Sequence, residues 1–197
     1  MLLDSTRPIG NLNAKIGCPE NTSVGVLSSW YALRATYSRE LKVQSMLNEK
    51  GFRTFVPMMW RSQTADGKQE KKLVPAVNNL VFVYAAKTDL DAFIRSFGDS
   101  RPVNYYWDRT TDAPLIVPGK AMEDFIKIAS SMDEDLIYLT EISEKLKEGQ
   151  KVTITDGPFK GVEGKIVRIR KNRRVMVELP GMLAVASTYV SPKIVEI

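Results

Sequence analysis

Apolar positions along the chain follow a mixed strand and helix rhythm first, and a purely strand-like one after about residue 149. Trp30-Tyr-Ala-Leu-Arg-Ala35 reads as a strand. Ser38 then stands where a helix cap belongs, Val43, Met46 and Leu47 share one helical face, and Gly51 follows Lys50 as the stop. Phe52–Trp60 is extended and aromatic-rich. The turn signal Ala65-Asp-Gly-Lys68 folds it back as a long hairpin into Leu73–Ala85. Thr88 and Asp91 have capping-box spacing, Leu90, Phe93, Ile94 and Phe97 recur at helical intervals, and Gly98 closes the run. Pro102–Tyr106 predicts another strand. After Pro118, Met122, Phe125, Ile126 and Ala129 predict a third helix. The order β-α-β-β-α-β plus one helix points to an α+β fold, a ferredoxin-like antiparallel sheet with helices on one face. The other face is then expected to be free for a partner.

The second rhythm has period two. Lys151–Thr155 and Gly164–Arg170 alternate around the turn Asp156-Gly157-Pro158, and Lys171-Asn172-Arg173 turns the chain into Val175–Leu179. Short strands at this spacing predict a small closed β-barrel. The polar stretch from Thr140 to Gly149 is the expected linker. The expected division is a mobile extension over 1–28, a first domain over 29–138, a linker over 139–148 and a barrel over 149–197. At 197 residues the chain is long enough for two small domains.

Charge sharpens that division. From Lys145 onward eleven basic residues face five acidic ones, whereas the preceding chain carries 17 basic and 18 acidic residues. The two modules therefore do different electrostatic work. Composition removes much chemistry. With no histidine there is no Ser-His or Cys-His pair and no imidazole metal site, and the single Cys18 excludes an intrachain disulfide and a thiolate zinc cluster. No cofactor, no metal and no membrane span are expected. The opening residues lack a secretion pattern, so a cytoplasmic location is expected. Glycines before Lys165 suggest a phosphate loop, but Phe159 stands where its first glycine is needed and Ile166 where Ser or Thr is needed.

The stretch Val152-Thr-Ile-Thr-Asp-Gly-Pro-Phe-Lys-Gly-Val-Glu-Gly-Lys-Ile-Val-Arg-Ile169 resembles a KOW motif, found in NusG-type transcription factors and several ribosomal proteins. Trp30-Tyr31, Pro57, Leu80-Val-Phe-Val83 and Ala113-Pro-Leu-Ile-Val-Pro118 resemble the NusG N-terminal domain in order and spacing. Within that family the chain looks like the specialised RfaH and UpxY-type antiterminators of capsule loci. One segment departs: members usually carry Phe-Pro-Gly-Tyr or Phe-Pro-Asn-Tyr where this chain has Val77-Asn78-Asn79-Leu80.

The resemblance implies a NusG-type domain joined to an SH3-like barrel. It also implies an RNA polymerase-binding set of Tyr31, Arg34, Phe55, Val77, Leu80 and Phe82. Strand alternation leaves core packing open for several of these, since one face must lie under the helices. Arg61, Lys68, Lys71 and Lys72 on the hairpin, and Arg168, Arg170, Lys171, Arg173 and Arg174 in the barrel, are candidate nucleic-acid contacts. The hairpin set is more often just a solvated hairpin end, and the barrel set also reads as charged strand edges. Leu179, Met182 and Leu183 resemble the barrel's partner-binding edge, with barrel core as the other reading.

The expected function is a non-enzymatic elongation or antitermination factor, acting as a monomer. It would bind RNA polymerase, hold the clamp closed and suppress pausing or termination. Implied partners are non-template DNA or nascent RNA, and a ribosomal protein or termination factor at the barrel. The alternative is an RNA-binding or ribosome-associated KOW protein. A metal-dependent nuclease is the third class, disfavoured because Asp133, Glu134 and Asp135 form a run typical of a solvated linker.

Overall fold

The structure, a computed structural model, describes residues 27–65, 68–141, 149–169, 171–191 and 194–196. The N-terminal extension up to residue 26, Cys18, the turn pair Asp66-Gly67, most of the expected linker and Arg170 lie outside the described residues.

In the first module, β1 (Ser28–Ala35), α1 (Glu40–Glu49) and β2 (Arg53–Phe55) precede a hairpin of β3 (Met58–Ala65) and β4 (Lys68–Pro75). β5 (Leu80–Ala86), α2 (Lys87–Arg95) and β6 (Val103–Tyr105) follow, and then the short strands β7 (Trp107–Asp108), β8 (Ala113–Pro114) and β9 (Ile116–Val117), and α3 (Gly119–Ala129). β2, β5, β1 and β6 lie side by side in that order, all antiparallel, with β9 extending along β1. This is the ferredoxin-like arrangement.

Alternation along the strands divides the sheet into two faces. Tyr31, Leu33, Val81 and Val83 pack with Val43 and Leu47 of α1 and Leu90, Phe93 and Ile94 of α2. Trp30, Ala32, Phe55, Leu80 and Phe82 point the other way and share a cluster with Met122, Phe125, Ile128 and Ala129 of α3. The two helices of the ferredoxin-like repeat thus occupy one face and the appended helix crosses the other.

Local chemistry shifts several expected boundaries. The run Phe52–Trp60 breaks after Phe55 because Pro57 has no N–H to give the sheet; its carbonyl instead accepts from Ala76 N at 2.8 Å and closes the base of the hairpin. The returning run breaks at Ala76–Asn79, where Asn79 adopts φ 61°. Ser38 does not cap α1, since its φ of 51° is incompatible with cap geometry; Arg39 stands at the cap and Ser38 N donates to Asn79 Oδ1. The nearly buried Glu40 carboxylate accepts from Asn79 N. α2 starts directly from β5, so Thr88 is already inside its first turn and forms no capping box.

Asp91 has another use. Lys87 Nζ at 2.7 Å and the Tyr105 hydroxyl at 2.8 Å both donate to its carboxylate. The lysine bond, with the tyrosine adding to it against burial, holds that carboxyl below its ordinary value. Its stabilising effect is therefore complete above the unfolded-state value of about 3.9 and is lost as pH falls through the lower folded value. The stability gap between wild type and Asp91→Asn is expected to stay constant above about pH 5 and to shrink in more acid solution. Urea denaturation across that range checks it.

The second module contains β10 (Ile137–Leu139), β11 (Lys151–Ile154), β12 (Glu163–Ile169), β13 (Asn172–Leu179), β14 (Leu183–Tyr189) and β15 (Val195–Glu196). They form one antiparallel sheet in the order β10-β14-β13-β12-β11-β15. Gly164 is required at the β12–β13 crossing, because a Cβ there would stand 2.6 Å from the Met176 carbonyl oxygen and 2.7 Å from Val175 Cγ1. β10 belongs by sequence to the end of the first module, yet Ile137, Tyr138 and Leu139 pair with Ala186, Val185 and Ala184 of β14.

Candidate functional site

The two modules do not stand apart. The cluster that starts on the Phe55-Leu80-Phe82 face continues through α3 into Val152, Ile154, Val175, Val177, Leu179, Leu183 and Val185 of the second module. Phe125 is its centre. Its ring lies edge-on to Phe55 (6.3 Å between centroids), Phe82 (5.9 Å) and Tyr138 (6.3 Å).

A polar seam borders this contact. Lys120 donates to both carboxylate oxygens of Asp124 (2.7 and 2.8 Å) and to the Gly161 carbonyl (2.9 Å), and Glu163 N donates to Asp124 Oδ2 at 3.2 Å. Lys127 Nζ donates to the Lys160 carbonyl. Burial opposes charge on Lys120, yet Asp124 and Glu163 outweigh it and keep the ammonium above its usual lysine value. Beyond α3, Tyr138 OH donates to the Met58 carbonyl at 3.1 Å. Burial pushes that phenol above its ordinary range.

The expected polymerase-binding set is therefore only partly brought together. Phe55, Leu80 and Phe82 share one face, with Val77 half-buried against their cluster and Arg34 exposed beyond Ala32. Tyr31 is not with them. It lies one residue out of phase along β1, so its ring turns to the α1 and α2 side and meets Tyr105 edge-on at 5.8 Å. The face is also not open. Leu80 and Phe82 are 1% and 0% exposed, under α3 and the second module. The expected partner edge is covered as well. Leu179 and Leu183 are buried in this cluster and Met182 is half-buried against it.

The basic candidates separate by environment. Arg61, Lys68 and Lys72 are exposed on the hairpin; Lys71 is exposed too, and pairs with Glu134. In the second module Arg168 and Lys171 are exposed and Arg173 is half-buried. Arg174 does not belong to that exposed cluster. It is 5% exposed, with one guanidinium nitrogen donating to the Asp135 and Ser187 carbonyls at 2.7 Å each, and its Nε has no hydrogen-bond partner among the described residues. Its neighbour Arg173 faces the other way and stands directly opposite Arg168.

A cleft of about 350 Å³ adds residues that sequence reasoning missed. Arg39 and Lys42 of the α1 start line it together with Arg61, Val74 and Pro75 of the hairpin. Tyr37, 85% exposed, lies just before it with the Arg39 guanidinium 5.5 Å from its ring. The signal was the Arg-Glu-Leu-Lys opening of the helix, which acquires meaning only when folding sets it beside the hairpin. Among the described residues, no group of three or more metal-binding side chains occurs, and no helix is long and apolar enough to cross a membrane.

The family model described as transcription termination factor nusG matches residues 28–126, just over half the chain. The chain belongs to the NusG family. A KOW motif matches residues 148–178 of this NusG-family protein, over β11, β12 and most of β13. Among solved structures, one titled "Domain interaction in Thermotoga maritima NusG" is similar over 86% of this chain and 97% of its own, at 18% identity and a TM-score of 0.46. No curated protein matches. Membership makes this NusG-family chain a transcription elongation or termination factor, from a family of non-enzymatic proteins that bind RNA polymerase and other factors.

Proposed function

We propose that this chain binds RNA polymerase through the sheet face of Phe55, Leu80 and Phe82, with Arg34 and Val77 at its margin, after the second module has moved off that face. Bound there, it holds the clamp closed and suppresses pausing or termination. The released KOW domain then offers Leu179, Met182 and Leu183 to a second partner, a ribosomal protein or termination factor. Arg61, with Arg39 and Lys42 around the cleft, contacts phosphates of the non-template strand, and Lys68 and Lys72, on the same hairpin face as Arg61, extend that track. The RfaH and UpxY likeness of the sequence supports a specialised antiterminator serving capsule loci.

The observation that carries this reading is the cover itself. An apolar face of the first module is sealed by the second module through α3, and the barrel's candidate edge is sealed by the same contact. A face sealed by a tethered neighbour can be uncovered without exposing the α1 and α2 core. A state favoured by about 1–3 kcal/mol changes occupancy by roughly 5–150-fold, enough to alter a pause.

The test is capture of core polymerase by the full chain, with pause lifetimes on a defined template. Asp124→Asn weakens the seam at Lys120 and Glu163 and is expected to raise capture several-fold. Unchanged pausing at saturating protein, with no capture by either form, removes the reading.

One observation favours the RNA-binding alternative. Arg168 and Arg173 are cross-strand partners with no ion-paired carboxylate among the described residues, an opposition of like charge that a bound phosphate would relieve. Binding of free RNA that is abolished by Arg168→Gln, without any polymerase capture, would decide for it.

A further inference from the structure

The segment between α3 and β10 is fastened on two sides. On the hairpin side, Trp60 Nε1 donates to the Met132 carbonyl at 3.0 Å, and Tyr138 OH reaches the Met58 carbonyl. On the barrel side, Arg174 donates to the Asp135 carbonyl and β10 pairs with β14. Between these holds lies a cavity of about 300 Å³. Met59 and Ala76 line it from the base of the hairpin, the run from Glu134 to Tyr138 from the segment, and Arg174 from the barrel. Its wall is complete only while the two modules are docked.

Arg174 is the unusual member of this lining. No carboxylate forms an ion pair with it among the described residues. Its Nη1 commits both hydrogens to the Asp135 and Ser187 carbonyls. The parallel N–H groups of Nε and Nη2 are left without a hydrogen-bond partner among the described residues. That edge of a guanidinium is the one a carboxylate takes with two parallel bonds. A cation buried in this way carries a desolvation cost that two carbonyls offset only in part. An anion in the cavity would offset the rest.

The other lining residues select among anions. Met59, Ala76 and Leu136 give the cavity apolar walls, so an inorganic ion would leave most of the space unfilled. Two exposed acids also stand around it. Glu134 already holds Lys71, whereas the Asp135 carboxylate has no hydrogen-bond or ion-pair partner among the described residues. A multiply charged anion is repelled there, and a ligand carrying its own ammonium is attracted.

We propose that this cavity binds a small α-amino acid with an apolar side chain, its carboxylate on the Nε–Nη2 edge of Arg174 and its ammonium toward Asp135. The site stands on its own lining, whatever the Phe55 face binds. Because that lining joins both modules, the ligand binds the docked form and holds it. At ten times its dissociation constant it favours docking about tenfold.

The experiment titrates the full chain with leucine and follows the Arg174 Nε–H resonance by NMR. Leucinamide, which lacks the carboxylate, is expected to bind more than about tenfold more weakly, the loss of hydrogen bonds between charged groups. Leucine without its amino group is expected to bind about 2–5-fold more weakly, as is leucine itself to Asp135→Asn, since the charge pair is exposed. Arg174→Lys keeps the charge but loses the edge, and is expected to abolish binding. Since that change also touches the barrel, Ala76→Leu tests the site from the first module by filling the cavity. It is expected to abolish binding with the barrel's spectrum intact. Leucine at ten times its dissociation constant is expected to slow amide exchange at Ile137–Leu139 about tenfold.

An Nε–H resonance that leucine, methionine and phenylalanine all leave in place means a cavity that holds water only, and overturns the proposal. Binding of inorganic phosphate, or of the deaminated compound as tightly as leucine, overturns the amino-acid assignment. Leucine binding that survives Ala76→Leu places the ligand elsewhere. Binding that leaves exchange at β10 unchanged overturns its dependence on docking.

Discussion

Phe125→Ala is expected to lower the stability of the docked protein by about 3–5 kcal/mol, the cost of removing a large aromatic ring from a sealed core. Three aromatic neighbours face that ring within 6.3 Å, and they come from β2, β5 and β10. Truncation therefore leaves a void bounded by elements of both modules. A cavity shared in this way weakens their attachment as much as either fold. The expected signature is a split transition. Urea unfolding of the wild type proceeds with the modules coupled, whereas the variant shows the barrel and the ferredoxin-like domain melting at separate midpoints. A variant that unfolds in one transition with an unchanged midpoint would show that Phe125 carries no such weight.

The second large effect is expected at Gly164. Valine there would drive a branched side chain into the Met176 carbonyl and Val175, where a single Cβ already comes within 2.6 and 2.7 Å. Neither obstacle is the end of a flexible side chain that could swing aside. Overpacking of a core position costs about 1–3 kcal/mol even when the neighbours can adjust. Here the backbone of β13 must move, so the expected loss lies at or beyond the upper end. Because β13 joins β12 to β14 in the sheet order, the damage should spread through the second module and leave the β1–β5 sheet intact. Hydrogen exchange resolved by residue checks it: protection lost from Val175 to Leu179 and retained at Leu80 to Ala86.

These two positions differ in how far they could be read from the chain alone. Gly164 announces itself, since a glycine inside an alternating run marks a bulge or a close backbone approach. The ferredoxin-like order was legible for the same reason, because period-two and helical spacing survive locally in Trp30–Ala35, Leu80–Val83 and Leu90–Phe97. What local rhythm cannot express is which face of a strand meets which partner. Tyr31 and Leu80 look alike as apolar strand residues, yet one-residue phase separates them onto opposite sides of the sheet.

The same limit hid the closed state. Nothing in the spacing of Met122 and Phe125 distinguishes a helix with one buried side from a helix packed on both. α3 is of the second kind, with sheet residues and barrel residues in one cluster. Arg174 looked like one more cation in a basic run, and its burial comes from the folded chain, which brings the Ser187 and Asp135 carbonyls to its guanidinium. Ser38 failed as a cap for a smaller reason. Left-handed backbone at Tyr37 and Ser38, fixed by Asn79 more than forty positions away, overrides a local preference.

β10 sets a length scale. Only seven residues, Ser130–Leu136, run from the last turn of α3 to the strand that is hydrogen-bonded into the barrel sheet. Fully stretched they span about 25 Å. A barrel that departs with β10 still zipped to β14 is thus on a short leash, and it stays at high effective concentration near the face it left. If the three β10 pairs are given up as well, the chain from Ser130 to Gln150 becomes the leash, and its ceiling rises to about 70 Å. A partner that seizes the free edge of β14 would hold the leash at its long setting and slow the barrel's return to that face.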